Sequence, residues 1–241
     1  MHRAFIETKW IDSFTNNKDL ELPDQILFRF NKILRIKAQE TIAVFDGEGR
    51  QIEGILNNKK LEATNLVIKE PHKPQIILLQ AALEEAKIAE TIKRATEFGV
   101  DKIIIFSSHY SQSFHFPKLL NKSERLKDLA KDAARQSERF FIPKIIFEQD
   151  LASTLATINP QNLGFYGLVQ EHNLLSEELT KHTNFSELYI VIGPEGGLAP
   201  SDIETCNKYN FKGVVFSPFV LRSELASLAA ISIINAHLKR G

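Results

Sequence analysis

From residue 75 onward the chain alternates short, continuously apolar runs with segments whose apolar residues recur at helical spacing. Gln75–Ala82, Ile103–Phe106, Ile145–Phe147, Leu163–Val169, Leu188–Ile192 and Val214–Phe216 read as strands. Between them, Ile88, Ile92 and Ala95 mark one helix, followed by Gly99 as a C-cap, and Leu126, Leu129, Ala130 and Ala133 mark another. Arg222 to Lys239 closes the series as a long helix. Continuous apolar strands separated by helices imply a mostly parallel sheet covered on both faces. That pattern places the region in the α/β class.

The residues before it are organised differently. His2–Glu7, Thr41–Phe45, Gln51–Leu56 and Leu61–Glu70 read as strands, with turn clusters at Asp46-Gly47-Glu48-Gly49 and Asn57-Asn58-Lys59-Lys60. Such spacing predicts a small antiparallel barrel or sandwich. One helix interrupts it, with Ile26, Leu27, Phe30, Ile33 and Leu34 on one face and Arg29, Lys32 and Arg35 on others. Pro71-His72-Lys73-Pro74 then disfavours regular structure and reads as a linker. Two domains are expected, residues 1–72 and 73–241.

Lys plus Arg and Asp plus Glu both number 30, so a nucleic-acid partner would have to be met by a local basic face rather than by net charge. A single cysteine, Cys206, precludes an internal disulfide and fits a reducing compartment. The first ten residues hold no long apolar run, and no apolar stretch nears the roughly 20 residues of a membrane helix. A cytoplasmic protein without a membrane partner is expected. His109 and His115 lack metal-like spacing to further ligands, so no metal site is expected.

Two strand ends are unusual. Leu188–Ile192 runs into Gly193-Pro194-Glu195-Gly196-Gly197-Leu198, after which Pro200-Ser201-Asp202 opens a helix. Adjacent glycines permit positive φ and close backbone approach. The loop lacks the Gly-Lys-Ser/Thr ending of a phosphate cradle and the GxGxxG spacing of a dinucleotide loop. With a carboxylate and few cations, it suits a neutral or cationic ligand better than a polyphosphate. The plain structural alternative is a tight turn capped by Ser201 or Asp202. The second end, Ser217-Pro218-Phe219-Val220-Leu221-Arg222-Ser223-Glu224, leads into a helix rich in small residues, where Glu224 would favour the first turn through the helix dipole.

Together these segments resemble the ribosomal RNA small subunit methyltransferase E family of the SPOUT class, whose members carry IGPEGGF/L and then LRTETAAL at this spacing. Arg3, the segment Lys32-Ile33-Leu34-Arg35, the run Ala95-Thr96-Glu97-Phe98-Gly99-Val100, and Gln136, Arg139 and Pro143 are similar to further family segments, so the resemblance spans essentially the whole chain. It implies an N-terminal PUA-like β-barrel and a C-terminal SPOUT domain with a deep trefoil knot, acting as a homodimer. It also implies methylation of N3 of a uridine in 16S ribosomal RNA, with S-adenosylmethionine as donor. On this resemblance, Leu168, Gly193, Glu195, Gly196, Gly197, Leu198, Ser217, Val220, Leu221, Arg222 and Ser223 hold the donor. Arg222 and Glu224 are the catalytic pair: the guanidinium stabilises charge on the uracil oxygens, and the carboxylate orients Arg222 or assists proton removal. RNA contacts fall to Arg3, Lys32, Arg35, Arg94, Arg135 and Arg139. Alternatives are a SPOUT enzyme acting on ribose 2′-O of transfer or ribosomal RNA, whose Asn-rich C-terminal motif is missing here, and a non-catalytic ribosome-assembly protein. The chain departs from the pattern at Arg29, Tyr110, Arg135 and Phe219, which bears on RNA contact more than on the donor.

Overall fold

The computed structural model describes residues 1–14, 19–37, 39–170 and 173–239. Backbone contacts divide the chain into two compact units, Met1–Pro71 with Lys131–Ile142, and His72–Ala130 with Pro143–Gly241. No helix among the described residues is long and apolar enough to cross a membrane.

The first unit contains β1 (His2–Phe5), α1 (Thr8–Asp12), β2 (Leu20–Glu21), α2 (Asp24–Phe28) running into a π-helical turn (Arg29–Leu34), β3 (Thr41–Phe45), β4 (Arg50–Asn57) and β5 (Lys60–Ile68). Its sheet has the order β1-β3-β4-β5-β2, with β1 parallel to β3 and the remaining pairs antiparallel. The β3–β4 turn is built by Asp46, whose Oδ1 accepts the Glu48 and Arg50 amides at 2.8 and 3.0 Å. Gly47 and Gly49 supply positive φ there, at +74° and +110°. Ala4, Ile6, Leu27, Phe30, Ile42, Val44, Ile52 and Leu61 form the core. The helical face expected from sequence is only partly kept: Leu27 and Phe30 are buried, but Ile33 is 61% exposed. The π turn takes more residues per revolution than an α turn, so residues spaced for an α-helix rotate out of register.

Lys131–Ile142, which the sequence division leaves in the second domain, packs within the first unit. Gly49 N–H donates to Phe140 O and Ile142 N–H to Gly47 O, at 3.2 and 3.0 Å. Arg3 donates to Ala134 O at 3.2 Å.

The second unit contains β6 (Gln75–Ala81), α3 (Glu85–Glu97), β7 (Lys102–Phe106), α4 (His115–Leu120), α5 (Ser123–Gln136, which continues into the first unit), β8 (Lys144–Glu148), α6 (Leu151–Ala156), β9 (Leu163–Gly167), α7 (Leu175–Thr180), β10 (Glu187–Ile192), α8 (Pro200–Lys208), β11 (Lys212–Val214) and α9 (Ser223–Leu238). Six strands, all parallel, lie in the order β11-β9-β10-β6-β7-β8. Ile76 through Ala81 are buried throughout, as a central strand covered on both faces requires. The Val214–Phe216 strand expected from sequence is shifted: the ladder with β9 covers Lys212–Val214. Beyond it Val215 bonds to the segment before α7, its N–H donating to Asn173 O. Phe216 packs on Gly167, where an added Cβ would lie 2.7 Å from the ring.

From β6 the chain proceeds outward to β7 and β8, crosses to β9, comes inward to β10 and then passes β9 to the edge strand β11, so the connections leaving β6 and β10 run in opposite directions. The switch falls between β6 and β10, where Gln80 and Ile192 are register partners. In open α/β sheets the crevice beyond the carboxyl ends at such a point is where ligands bind.

Candidate functional site

At that switch point lies a cavity of about 410 Å³. Its walls come from the ends of β9 and β10 and from the two loops singled out in the sequence. Leu168, Val169, Ile192, Phe216, Val220 and Leu221 make it largely apolar, while Lys87, Glu195, Arg222 and Glu224 supply charge. Volume and lining are those of a small-molecule site.

The glycines have separable reasons. A side chain at Gly193 would place its Cβ 2.7 Å from Gly197 C and Leu198 N, so the loop folds back on its own backbone there. Gly197 has φ +77°, and its N–H donates to Pro194 O at 2.9 Å. Gly196 meets neither constraint: a Cβ there would rest 3.5 Å from Tyr110. The helix after the loop is capped by Asp202, whose Oδ2 accepts the Ala199 N–H at 3.2 Å and the Ser108 hydroxyl at 2.7 Å.

A buried polar network ties the two loops together. The Ser223 hydroxyl donates to Gly193 O at 2.5 Å and accepts from Gln80 Nε2 at 2.9 Å. Ser227 Oγ lies 2.5 Å from Gln80 Oε1. Gln80 and Ser227 are fully buried and Ser223 nearly so. Three polar side chains thus satisfy one another and a loop carbonyl inside an apolar sheet–helix interface, where any orphan would be costly.

On the rim, Lys87 Nζ holds Glu195 Oε1 at 2.8 Å. Burial acts to raise the Glu195 carboxyl, but the Lys87 ammonium outweighs it, as donor and as charge, and holds the group below the usual carboxylate range. Arg222 is exposed, and no salt bridge joins it to Glu224 or to another described residue. Glu224 Oε2 is buried and has no hydrogen-bond partner among the described residues.

Of the expected donor-binding residues, Leu168, Gly193, Glu195, Gly197, Ser217, Val220, Leu221, Arg222 and Ser223 line the cavity, with Glu224 beside them. Gly196 and Leu198 do not. Gly196 points to the loop surface near Tyr110, and Leu198 belongs to the sheet core with Leu79 and Val191. Among the expected RNA contacts, Arg3 is a correction: it is 5% exposed and therefore not a surface cation. Its guanidinium stacks 3.8 Å from the Phe45 ring centroid and donates to Gln51 Oε1 at 2.6 Å. Burial pushes it down to about 10, against the opposing charge of Glu138, so it stays a cation near neutrality. Arg94 is committed to Glu90 and Glu97 on its own helix, at 2.8 and 2.9 Å. Lys32 and Arg35 are exposed on the first unit, where Arg135 and Arg139 also fall, Arg135 facing Asp132 at 3.4 Å.

Sequence reasoning missed Lys87, Gln80, Ser227, Gly167 and Phe216. Only Gln80, a lone amide in an otherwise apolar strand, carried a signal.

A sequence profile of the RNA methyltransferase domain matches residues 70–235. The chain belongs to that family. Ribosomal RNA small subunit methyltransferase E of Rickettsia conorii is 27% identical over 96% of this chain and 93% of that protein. The protein of the same name from Aquifex aeolicus is 30% identical over 66% of this chain and 67% of its own length. The structure of ribosomal RNA small subunit methyltransferase E from Neisseria gonorrhoeae, bound to S-adenosyl methionine, superposes with TM-score 0.81 at 22% identity over 98% of this chain and 97% of that one. That likeness shows a shared fold. Within this RNA methyltransferase domain, both unusual strand ends lie inside the matched residues.

Proposed function

We propose that this protein transfers a methyl group from S-adenosylmethionine to N3 of a uridine in the 16S ribosomal RNA of the small subunit. The observation that carries the reading is the cavity built by the two C-terminal loops, with Glu224 in its wall and one Glu224 oxygen buried without a partner among the described residues. Support comes from relatives named as ribosomal RNA small subunit methyltransferases that align along nearly the whole chain.

The residues fit the donor. Apolar walls around Leu168, Phe216 and Val220 accept a purine, and Glu195 and Glu224 offer acceptors to hydroxyls and to positive charge. S-adenosylmethionine supplies a methyl group on a cationic sulfur. The protein positions the acceptor and stabilises charge as it develops. Arg222, free of salt bridges, faces the uracil oxygens that become more negative as N3 loses its proton. Because Arg222 and Glu224 do not pair, Glu224 serves as acceptor of that proton rather than as an orienter of Arg222. Ser223 holds the glycine loop in place and is a positioning residue. Lys32, Arg35, Arg135 and Arg139 contact RNA phosphates.

In the same reading residues 1–72 are a PUA-like barrel and residues 73–241 a SPOUT domain whose C-terminal loops form a trefoil knot. The protein is a cytoplasmic homodimer. Exposed apolar side chains around the cavity mouth, Phe219 at 78%, Val220 at 74% and Val169 at 63%, support pairing through this end. The deciding experiment is mass-spectrometric mapping of ribosomal RNA from a deletion strain. One N3-methyluridine should vanish and return with the gene; an unchanged map would overturn the reading.

A further inference from the structure

We propose that a second cavity, between α3 and the segment around the start of α4, holds the acceptor pyrimidine flipped out of the RNA; this rests on the functional reading above. The cavity measures about 520 Å³, ample for one base. Lys87 and Glu195 line both this space and the donor cavity, so the two share a wall. Transfer of a methyl group requires the acceptor atom to approach in line from a space adjoining the donor, so the N3 edge of the base would cross the shared wall toward Arg222 and Glu224, which line the donor cavity alone.

Its lining suits a base. Phe114 is 48% exposed, with the His115 ring centroid 4.6 Å away and Lys118 Nζ 4.6 Å from its own centroid. A half-exposed aromatic ring beside a second ring and under an ammonium is the kind of surface on which proteins hold unstacked bases of single-stranded RNA. Gln112, exposed at the same cavity, offers amide donors to the carbonyl oxygens of a uracil. The carboxylates nearby are largely matched: Glu85 by Lys122 and Arg125, Glu195 by Lys87. The segment is also held ready. Ser111 Oγ donates to Ala82 O at 2.9 Å and Ser108 Oγ to Asp202 at 2.7 Å, so little ordering remains to be done on binding.

The test uses small ribosomal subunits from a strain lacking the gene, with methylation kinetics and calorimetric titration of S-adenosylmethionine run side by side. Phe114→Ala should raise KM for the subunits roughly tenfold, as loss of one base–aromatic stack does, with donor affinity unchanged. Phe114→Trp should keep KM near that of the parent protein, and Gln112→Ala should raise it without altering donor affinity. If donor affinity falls in Phe114→Ala, the variant has lost its fold and Gln112→Ala and Phe114→Trp decide. Transfer indifferent to Phe114→Ala and Gln112→Ala would overturn this proposal alone. No transfer by the parent protein would overturn the functional reading and this proposal with it.

Discussion

Ser223 has one proton, and its neighbours decide where that proton points. Gln80 Nε2 donates to it, so its own proton goes to Gly193 O; Ser227, bonded to Gln80 Oε1, fixes which way the Gln80 amide faces. Ser223→Ala leaves the buried Gly193 carbonyl and one N–H of the Gln80 amide unmet, the other N–H still reaching Ala81 O, at a cost of about 1–3 kcal/mol. Chemical denaturation should show that loss together with weaker donor binding, and Ser223→Thr, which keeps the hydroxyl, should show neither. Arg222 is the opposite case, exposed and making no salt bridge among the described residues. Arg222→Ala should lower kcat about 10²–10³-fold with an unchanged melting temperature, and near-normal turnover would remove its catalytic role. Arg222, Ser223 and Glu224 were legible in the sequence because they follow a strand in a recognisable run. Gln80 stands out in the sequence as a lone amide in an apolar strand, but its role was not legible, because its partners lie 143 and 147 residues away. Arg3 was misread for a related reason: a charge near a chain start looks solvated until Phe45 and Gln51 close over it.

At the scale of elements, the glycine loop shows why a motif read as a string overstates its members. Gly197→Ala forces a positive φ on a Cβ-bearing residue and should cost about 1–2 kcal/mol. Gly196→Ala should be nearly neutral, since its Cβ would sit at ordinary contact distance from Tyr110. Melting temperatures of the two variants, measured side by side, check the contrast; equal losses would contradict the geometry. The parallel strands were legible because a strand buried on both faces has little freedom in composition. Phe216 was read as the end of a strand because apolarity does not distinguish a ladder residue from one that turns over Gly167. The π turn at Arg29–Leu34 was hidden too, since periodicity analysis presupposes the α-helical period.

For the whole molecule, stability should fall as the pH drops through and below the ordinary histidine range. Burial, with the charge of Lys212, holds His182 below its ordinary 6.5, and its Nε2 is buried without a partner among the described residues. The unfolded chain therefore binds more protons across that window, and stability rises with pH. Glu178 adds the same sign at lower pH: hydrogen bonds first from Lys181 and then Lys212 depress it against burial, so its contribution is lost as pH falls through its folded value. Urea midpoints across the range should show a slope that His182→Asn flattens; an unchanged slope would place the proton uptake elsewhere. RNA affinity should fall steeply with salt if Lys32, Arg35, Arg135 and Arg139 meet phosphates, because each contact releases counterions. A flat response in filter-binding titrations would count against that surface.

The bonds from Gln80 to Ser223 and Ser227 also set an order in time. During synthesis the ribosome delivers β6 with its buried amide long before α9 exists to meet it. A nascent chain that has not yet reached Ser227 therefore exposes a half-made crevice whose glycine loop nothing fastens. On the proposed reading, the methyl donor can be captured only after α9 has formed far enough for Ser223 and Ser227 to meet Gln80.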